Sequence, residues 1–296
     1  MFCGELLLRH NLAILPLVLL ASSGWVRAQN VEPLSANEIM ARVAANQDRA
    51  EELRRQYVYK QHVHVVSRKT NGKLMCEEAA DYDVFPGAQA SSKKLTQLLG
   101  KYWHKGQYLN YSAEPAPPST SLDNDLVSDF RSDLVSDVRE DLADENRSKD
   151  GLAVDLFPLS SKEQKKYQFK MLGEQAMNGR SVYRLGFEPK DKSDVDWAGE
   201  AFIDKEDFQP VLVFTKLSRK IPFFVRTALG TNLPDLGFSV SYKRQPDGVW
   251  FPTSFGTEFR LKALFVLNRN ISISLSNSDF EHTHVDSTVH YAAQAP

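Results

Sequence analysis

The spacing of apolar residues changes from a helical period to strict alternation within the first third of the chain. Ser35 and Glu38 have the spacing of a capping box, in which each side chain bonds the backbone N–H of the other residue. The apolar residues behind them fall roughly on one face of a helix that ends near Arg55: Ile39, Val43, Ala44 and Leu53. Residues 56–68 instead alternate with period two and are rich in β-branched and aromatic side chains, which predicts a strand.

A hairpin is predicted to follow this strand. Asn71-Gly72 is expected to form a type I′ turn, because both central residues of that turn need positive φ, and residues 73–84 are expected to return as a second strand. Residues 95–111 are punctuated by Gly100 and Gly106, and their pattern fits either another helix or a further strand pair.

From Tyr167 onward the pattern predicts a meander of short strands. The predicted strands span residues 166–175, 181–189, 197–204, 210–217, 238–243 and 249–251, with turns at Asn178-Gly179, 205–207 and 246–248. Residues 255–267 and 271–275 alternate most clearly, with apolar side chains on one face and mostly polar ones on the other. The predicted fold class is therefore α+β, built on a curved antiparallel sheet with one face exposed to solvent.

Residues 114–150 differ in composition from the strands on either side. An eight-residue near-repeat begins at Leu126, Leu134 and Leu142, and residues 122–150 contain ten Asp and Glu against four Lys and Arg. Apolar residues step by four along the repeat, which predicts an amphipathic helical insertion with an acidic face. Two interpretations stay open: a helix packed on the domain with its acidic face in water, or a docking helix or mobile lid.

The first 28 residues have the pattern of a secretory signal peptide. Arg9 and His10 precede an apolar run at 12–21, and compact residues lead to Ala28, where cleavage is expected. The run is shorter than the roughly 20 residues of a transmembrane helix, although an uncleaved N-terminal anchor is the alternative. A periplasmic or secreted location follows, and cleavage leaves 34 Lys and Arg against 37 Asp and Glu.

Composition narrows the class of protein without naming a reaction. A chain of 296 residues with 42% hydrophobic and 25% charged residues suits a folded domain and argues against disordered, collagen-like and multi-span membrane proteins. The net charge of -2 gives no general basic field for nucleic acid. Cys3 leaves with the leader, so no internal disulfide is expected, and Cys76 is predicted to be a small buried residue rather than a reactive thiol.

Histidine is the residue type that most suggests a chemical site. The sequence contains no G-x-S-x-G, phosphate-cradling glycine loop, H-E-x-x-H or C-x-x-C motif. His62 and His64 point to one face of a predicted strand, and His282 and His284 repeat that spacing near the C-terminus. The two pairs could hold zinc if the fold brought them together, and exposed strand histidines are the alternative.

The order of elements and three segments resemble the outer-membrane lipoprotein-sorting (LolA/LolB-type lipoprotein carrier) superfamily. The segments are Gly179-Arg-Ser-Val-Tyr-Arg-Leu-Gly-Phe187, Trp197-Ala-Gly-Glu-Ala-Phe-Ile-Asp204 and Asp247-Gly-Val-Trp-Phe-Pro252. The resemblance covers residues 35–280 and implies an unclosed half-barrel, with helices over its concave side and an apolar cavity that holds acyl chains in that family. The acidic insertion departs from the carrier pattern, so no ligand-contact residue is carried over.

The leading functional hypothesis is an exported, non-enzymatic envelope protein that binds a lipid or a lipid-modified partner in an apolar cavity, with carriage of that ligand as one role. The residues predicted to line the cavity are Trp103, Phe202, Phe214, Trp250, Phe255 and Phe265. A packed core is the alternative for each of them. Two other functions stay open: a structural or interaction module of the cell envelope with a filled barrel, and a metal-dependent hydrolase that uses the histidine pairs.

Domains and partners follow from the same hypothesis. The predicted organisation is a signal peptide at 1–28, one half-barrel domain at 29–280 with the acidic insertion at 114–150, and a flexible tail at 281–296. Expected partners are a lipid or acylated protein, an envelope protein docking at the acidic helix, and a transient membrane surface. Neither nucleic acid nor a cofactor is expected.

Overall fold

The computed structural model describes residues 33–85, 92–112, 158–191, 197–217, 231–232, 236–263 and 267–283. Within these stretches, α1 spans Ala36–Arg54 and a short 3₁₀ helix spans Glu163–Lys166. The strands are β1 Tyr57–Lys69, β2 Leu74–Phe85, β3 Ser92–His104, β4 Gln107–Tyr111, β5 Tyr167–Met177, β6 Arg180–Pro189, β7 Trp197–Asp204, β8 Pro210–Leu217, β9 Thr231–Asn232, β10 Gly237–Arg244, β11 Trp250–Ala263 and β12 Leu267–His282. The predicted leader, the acidic insertion, Phe265 and His284 fall outside the described residues.

The capping box starts α1 as predicted. The Ser35 hydroxyl accepts from the backbone N–H of Glu38 at 3.3 Å, and the Glu38 carboxylate accepts from the Ser35 N–H at 2.8 Å. The Ser35 hydroxyl also donates to the Glu38 carboxylate at 2.7 Å, and this bond, followed by the one from the Ser35 N–H, lowers the pKa of Glu38. The prediction that Leu53 shares the buried face is wrong, because that side chain is 40% exposed and the face continues through Ala50 and Arg54 instead.

The strands form one unclosed antiparallel sheet, which confirms the predicted fold class. Their order is β4-β3-β2-β1-β12-β11-β10-β8-β7-β6-β5, and β9 pairs with β11 beside this path. The ends of the path, β4 and β5, are not paired with each other in the described part of the chain. Residues 95–111, which fitted a helix or a strand pair, form the β3–β4 hairpin.

Two sequence-based boundaries are corrected in β11 and β12. The segments 249–251 and 255–267 were expected to be separate strands, but β11 runs without a break from Trp250 to Ala263. Leu267 begins β12 rather than ending β11. Pro252 lies inside β11, and the pairing with β10 is irregular between Ser241 and Tyr242, which lets the strand continue past the proline.

The two Asn-Gly turns differ in geometry. Asn178 and Gly179 both have positive φ, at 51° and 79°, as a type I′ turn requires. At the first hairpin only Gly72 has positive φ, at 86°, and its N–H bonds the Lys69 carbonyl at 2.9 Å. The type I′ prediction for Asn71-Gly72 is therefore wrong: the loop has three residues, with glycine in the left-handed position after an ordinary turn.

The pairing of β1 with β12 joins the N-terminal strands to the C-terminal ones. Val63 lies opposite Leu275 and Val65 opposite Ile273, so the apolar residues of both strands share one face. In the same register the buried Gln61 side chain donates to Asn277 Oδ1 at 3.1 Å. Asn277 Nδ2 in turn donates to a main-chain carbonyl of β11 at 3.0 Å, which links three strands.

The turn between β7 and β8 attaches α1 to the sheet. Asp204 is 1% exposed and accepts from the backbone N–H groups of Glu206 and Asp207 at 3.0 and 2.8 Å. Its other carboxylate oxygen pairs with Arg180 at 2.8 Å. Asn46 of α1 donates to the Asp207 carbonyl at 2.8 Å, so the helix is held by polar contacts as well as by apolar packing.

Replacing Asn277 with alanine should destabilise the protein because the Gln61 amide then loses its buried partner. A buried polar group left unpaired costs about 1–3 kcal/mol, so we expect the free energy of unfolding to fall by that amount. Urea unfolding measures it. Ser276→Ala is the matched control, since Ser276 is the exposed neighbour on β12, and its effect should stay below about 0.5 kcal/mol. Equal effects of the two substitutions would contradict this account.

Candidate functional site

One face of the sheet carries a continuous apolar layer, which we call the helix-side face because α1 packs against it. Every second side chain of a strand points to this face, and the register between neighbouring strands lines these side chains up. Ten strands contribute to the layer in this way. Its buried members include Val63, Ala80, Leu98, Leu185, Ala201, Val213, Val240, Phe255, Ile273 and Leu275. Ile39, Met40 and Val43 of α1 belong to the same cluster.

The width of this face exceeds what α1 alone covers. Eleven strands spaced about 4.8 Å apart give a face nearly 50 Å across, whereas the 19 residues of α1 are about 28 Å long. The helix packs on β5, Asn46 donates to the turn between β7 and β8, and Arg54 donates to the Trp250 carbonyl at the start of β11. At this length α1 covers part of the apolar layer and not its full width.

A polar cluster interrupts the apolar layer on β2, β3 and β4. Glu78 is fully buried and accepts a hydrogen bond from the Tyr111 hydroxyl. Burial of the phenol, and then this hydrogen bond, raise the pKa of Tyr111. Burial, and then the charge of Glu78, raise the pKa of the Cys76 thiol to about 12. The Tyr111 ring lies against Gly100, where a Cβ atom would be 2.0 Å from the ring. Cys76 is thus the buried, unreactive residue that the sequence predicts.

The predicted cavity residues fall into separate groups. Phe202 and Trp250, which are 7% and 4% exposed, pack in a small apolar cluster with Val182 and Val211. Phe214 is 47% exposed, and its ring centroid is 6.1 Å from that of Phe202.

The other predicted cavity residues lie elsewhere. Phe255 belongs to the helix-side layer, with its ring 5.2 Å from Phe238, whereas Trp103 packs edge-on against Tyr108 at the end of β3. Phe265 lies outside the described residues. The structure therefore brings Phe202, Phe214 and Trp250 together and leaves Trp103 and Phe255 apart from them. Contact of any of the six with a ligand stays a prediction.

The opposite face, which we call the outer face, carries shallow pockets with mixed polar and apolar linings. One, of about 720 Å³, lies across β11, β12 and β1, where Arg260 and Arg68 flank Asn270 in a single cross-strand row. Another, of about 450 Å³, is lined by glycine and serine residues of β10, β11 and β12 together with Phe214 and Phe238. The sequence alone does not bring the two arginines together, because they are 192 positions apart and only the strand register makes them neighbours.

The described histidines of the two pairs, His62, His64 and His282, do not converge. His62 Nδ1 lies 2.7 Å from Asp81, and His64 Nε2 lies 2.9 Å from Glu77, so each contacts a carboxylate of β2. The register sets His62 opposite Ser276, six residues from His282, which corresponds to about 20 Å along the strand. Among the residues that the structure describes, no three potential metal ligands cluster. The zinc hypothesis required both pairs to meet, and this register keeps His62 and His282 apart.

A membrane-spanning helix is also absent from the described stretches: none of their helices is long and apolar enough to cross a bilayer.

This chain is similar to several solved protein structures at low sequence identity. No protein-family model and no curated protein matches the chain. A DUF1329 family protein from Desulfovibrio piger is 12% identical, over 86% of this chain and 96% of that one, with a TM-score of 0.38. A LolA superfamily protein from Nitrosomonas europaea is 14% identical, over 86% and 96%, with a TM-score of 0.33. The lipoprotein LppX from Mycobacterium tuberculosis is 11% identical, over 85% and 100%, with a TM-score of 0.28. Structures of the lipoprotein-sorting group are thus among those similar to this chain.

The Cys76 thiol should not react in the folded protein. Its sulfur is fully buried and its pKa is raised to about 12, so almost no thiolate is present at pH 8. We expect a disulfide reagent to detect essentially no Cys76 thiol in native protein and one after denaturation in guanidinium chloride. Rapid labelling of Cys76 under native conditions would contradict the buried placement.

Proposed function

We propose that this chain is an exported envelope protein that binds a lipid, or the lipid-modified segment of a partner protein, against the helix-side face of its sheet. The observation that carries the proposal is the apolar layer that extends over ten strands of an unclosed sheet, beyond the reach of α1. An acyl chain in this layer would lie between the central strands and the elements that cover them. Carriage of the ligand between membranes is the role that suits such a protein.

Hydrophobic burial supplies enough free energy for this task. Each buried CH₂ group contributes about 0.8 kcal/mol, so a chain of 16 carbons contributes on the order of 12 kcal/mol before the costs of association. No catalytic group is needed, because the ligand would enter and leave unchanged. The buried Glu78–Tyr111 pair lies on the same face and would be the polar boundary of the layer at β2 and β4.

Native mass spectrometry tests the proposal directly. Protein extracted gently from membrane-containing cells should carry an added mass that matches a lipid, and organic extraction should remove it. A ligand that is part of an acylated protein should instead copurify as a polypeptide with a fatty-acyl mass. If only the mass of the unmodified chain is found after gentle extraction, the result would favour the alternative, a structural or interaction module whose barrel is filled by its own side chains.

Substitution of two adjacent alanines on β2 distinguishes a lipid-filled layer from a solid core. Ala80 is fully buried on the helix-side face, and Ala79 lies next to it on the outer face. We expect Ala80→Phe to lower the copurifying lipid several-fold, while the free energy of unfolding of delipidated protein changes by less than about 1 kcal/mol. In a solid core the extra ring would instead cost about 1–3 kcal/mol by overpacking. Ala79→Phe is the matched control and should change neither quantity appreciably.

Export is part of the proposal and has its own measurement. Intact mass and N-terminal sequencing of the protein recovered from the periplasm or medium should give a chain that starts at Gln29, without Cys3. The expected cause is cleavage after the small residue Ala28. A chain that retains residues 1–28 and stays with the membrane would support the uncleaved anchor instead.

A further inference from the structure

Two histidines lie side by side on the outer face of β1. His62 and His64 are two residues apart, so the alternation of the strand points both imidazoles to the same side of the sheet. Their ring centroids are 6.4 Å apart, and the ring planes are tilted by 39° to each other. The two side chains are 47% and 34% exposed, so an ion in solution can reach both rings.

Each of these rings has one nitrogen in contact with a carboxylate of β2. His62 Nδ1 lies 2.7 Å from Asp81, and His64 Nε2 lies 2.9 Å from Glu77. Because a carboxylate only accepts hydrogen bonds, the nitrogen that faces it carries the proton of a neutral imidazole, and the other nitrogen carries the lone pair. The nitrogens left to bind an ion are therefore His62 Nε2 and His64 Nδ1.

This second contact of each ring is typical of histidines that bind metal ions. Such a histidine almost always donates its other ring N–H to a carboxylate, a main-chain carbonyl or water, which fixes the orientation of the ring and makes it a stronger ligand. On this chain the strand register supplies a carboxylate for both rings, since Asp81 lies directly opposite His62 and Glu77 lies two residues further along β2 from the position opposite His64. The pair thus has the environment of a ligand pair before any ion binds.

Short side chains surround the two rings. Ser276 and Ser274 of β12 lie opposite the two histidines on one side, and Ala79 of β2 lies opposite His64 on the other. These residues leave room above the rings for water molecules, which would fill the remaining coordination positions of an ion.

The local charge also favours a cation. Two carboxylates contact the rings, and the lysines of the neighbouring positions are engaged elsewhere. Lys60, two residues before His62 on β1, lies 3.5 Å from Asp279. Lys101 lies opposite Glu77 in the β2–β3 register, so that carboxylate and its strand separate the lysine from β1.

We propose that His62 and His64 bind a divalent late transition-metal ion, Cu²⁺ most tightly and Zn²⁺ more weakly, with Asp81 and Glu77 as positioning residues. Imidazole nitrogen suits these ions, and a given site binds Cu²⁺ more tightly than Zn²⁺. Two imidazoles that hold one ion at about 2.0–2.1 Å have their centroids about 5 Å apart. Rotation of the exposed side chains therefore has to bring the rings closer by about 1 Å.

This site differs from a zinc site that needs both histidine pairs. It uses two protein ligands and water, so it does not require the third ligand that the described residues lack. It also goes beyond the proposed lipid-binding function, because it lies on the outer face and uses no residue of the helix-side layer.

Calorimetric titration of the full chain as secreted, without a histidine tag and after dialysis against EDTA, tests the proposal. CuCl₂ should show a saturable binding step, and ZnCl₂ should bind more weakly and compete with it. MgCl₂ should not compete, because Mg²⁺ prefers oxygen ligands. Absence of saturable Cu²⁺ binding, or equal competition by Mg²⁺ and Zn²⁺, would overturn the proposal.

Histidine substitutions locate the ion. Loss of a group behind a metal ligand already weakens binding 10–100-fold, so His62→Ala and His64→Ala should each weaken Cu²⁺ binding at least about tenfold. His282→Ala is the matched control, because this exposed histidine of β12 contacts the Gln56 amide oxygen at 3.0 Å instead of a carboxylate. It should bind within about twofold of the original protein, since distant sites act independently. Binding that survives in either β1 variant, or that is lost in His282→Ala, contradicts the proposed site.

Carboxylate substitutions test the positioning residues. Asp81→Ala and Glu77→Ala should each weaken Cu²⁺ binding about tenfold, because the ring behind which they lie loses its fixed orientation. Glu258→Ala is the control, since it removes the same charge from an exposed position of the outer face on β11. Equal weakening in all three variants would show a general charge effect and rule out the positioning role.

Electron paramagnetic resonance gives a readout that does not depend on the folding of a variant. Cu²⁺ bound to the unmodified protein should show hyperfine coupling to the nitrogens of two imidazoles. A spectrum with oxygen donors alone, or with a single nitrogen, would be incompatible with the histidine pair. Lipid content measured by native mass spectrometry should be the same with and without Cu²⁺, so failure of metal binding and failure of lipid binding can be told apart.

Discussion

The register between β1 and β12 is the constraint on which the rest of the structure depends. Apart from the step from β8 to β10, the other neighbours along the sheet are consecutive strands that local turns bring together, whereas β1 and β12 are separated by most of the domain. The buried amides of Gln61 and Asn277 make this register specific, because a shift by one residue would turn every side chain of one strand to the wrong face. The apolar helix-side layer and the outer-face rows both follow from this pairing.

Local features of this fold could be predicted from the sequence, and its long-range features could not. Three features that depend only on residues close in sequence are present in the structure. They are the Ser35–Glu38 capping box, the Asn178-Gly179 turn and the alternation of Ile271, Ile273 and Leu275. The strand order is different, because nothing in the alternation of β1 indicates whether β12 or another strand pairs with it. The six predicted cavity residues share only an aromatic side chain, and this residue type does not indicate that Phe255 and Trp103 have different surroundings.

The distribution of charge shows why average composition misleads for such a chain. A net charge of -2 conceals an acidic segment at 122–150 and four stretches without Asp or Glu at one end of the sheet, residues 66–76, 98–111, 259–263 and 267–271. The four stretches come from distant parts of the chain, and the antiparallel order brings them to one end because each is the same end of its hairpin. Counting charge by predicted strand end, rather than by sequence window, would have shown that these stretches lie together. The carboxylates Asp204 and Asp207 lie at the other end of the strands, where Arg180 and Arg244 pair with them.

The open edges of the sheet have a mechanical consequence. A closed barrel fixes its own circumference, because any widening breaks a ladder of interstrand hydrogen bonds. In the described part of this protein, β4 and β5 end the strand order without pairing, so the distance between them can change through twist alone, and every ladder stays intact. The irregularity at Gly173 in β5 also makes that edge a poor template for another chain. The distance between the two edges is therefore governed by the elasticity of a twisted sheet, which is a continuous quantity, rather than by the number of strands.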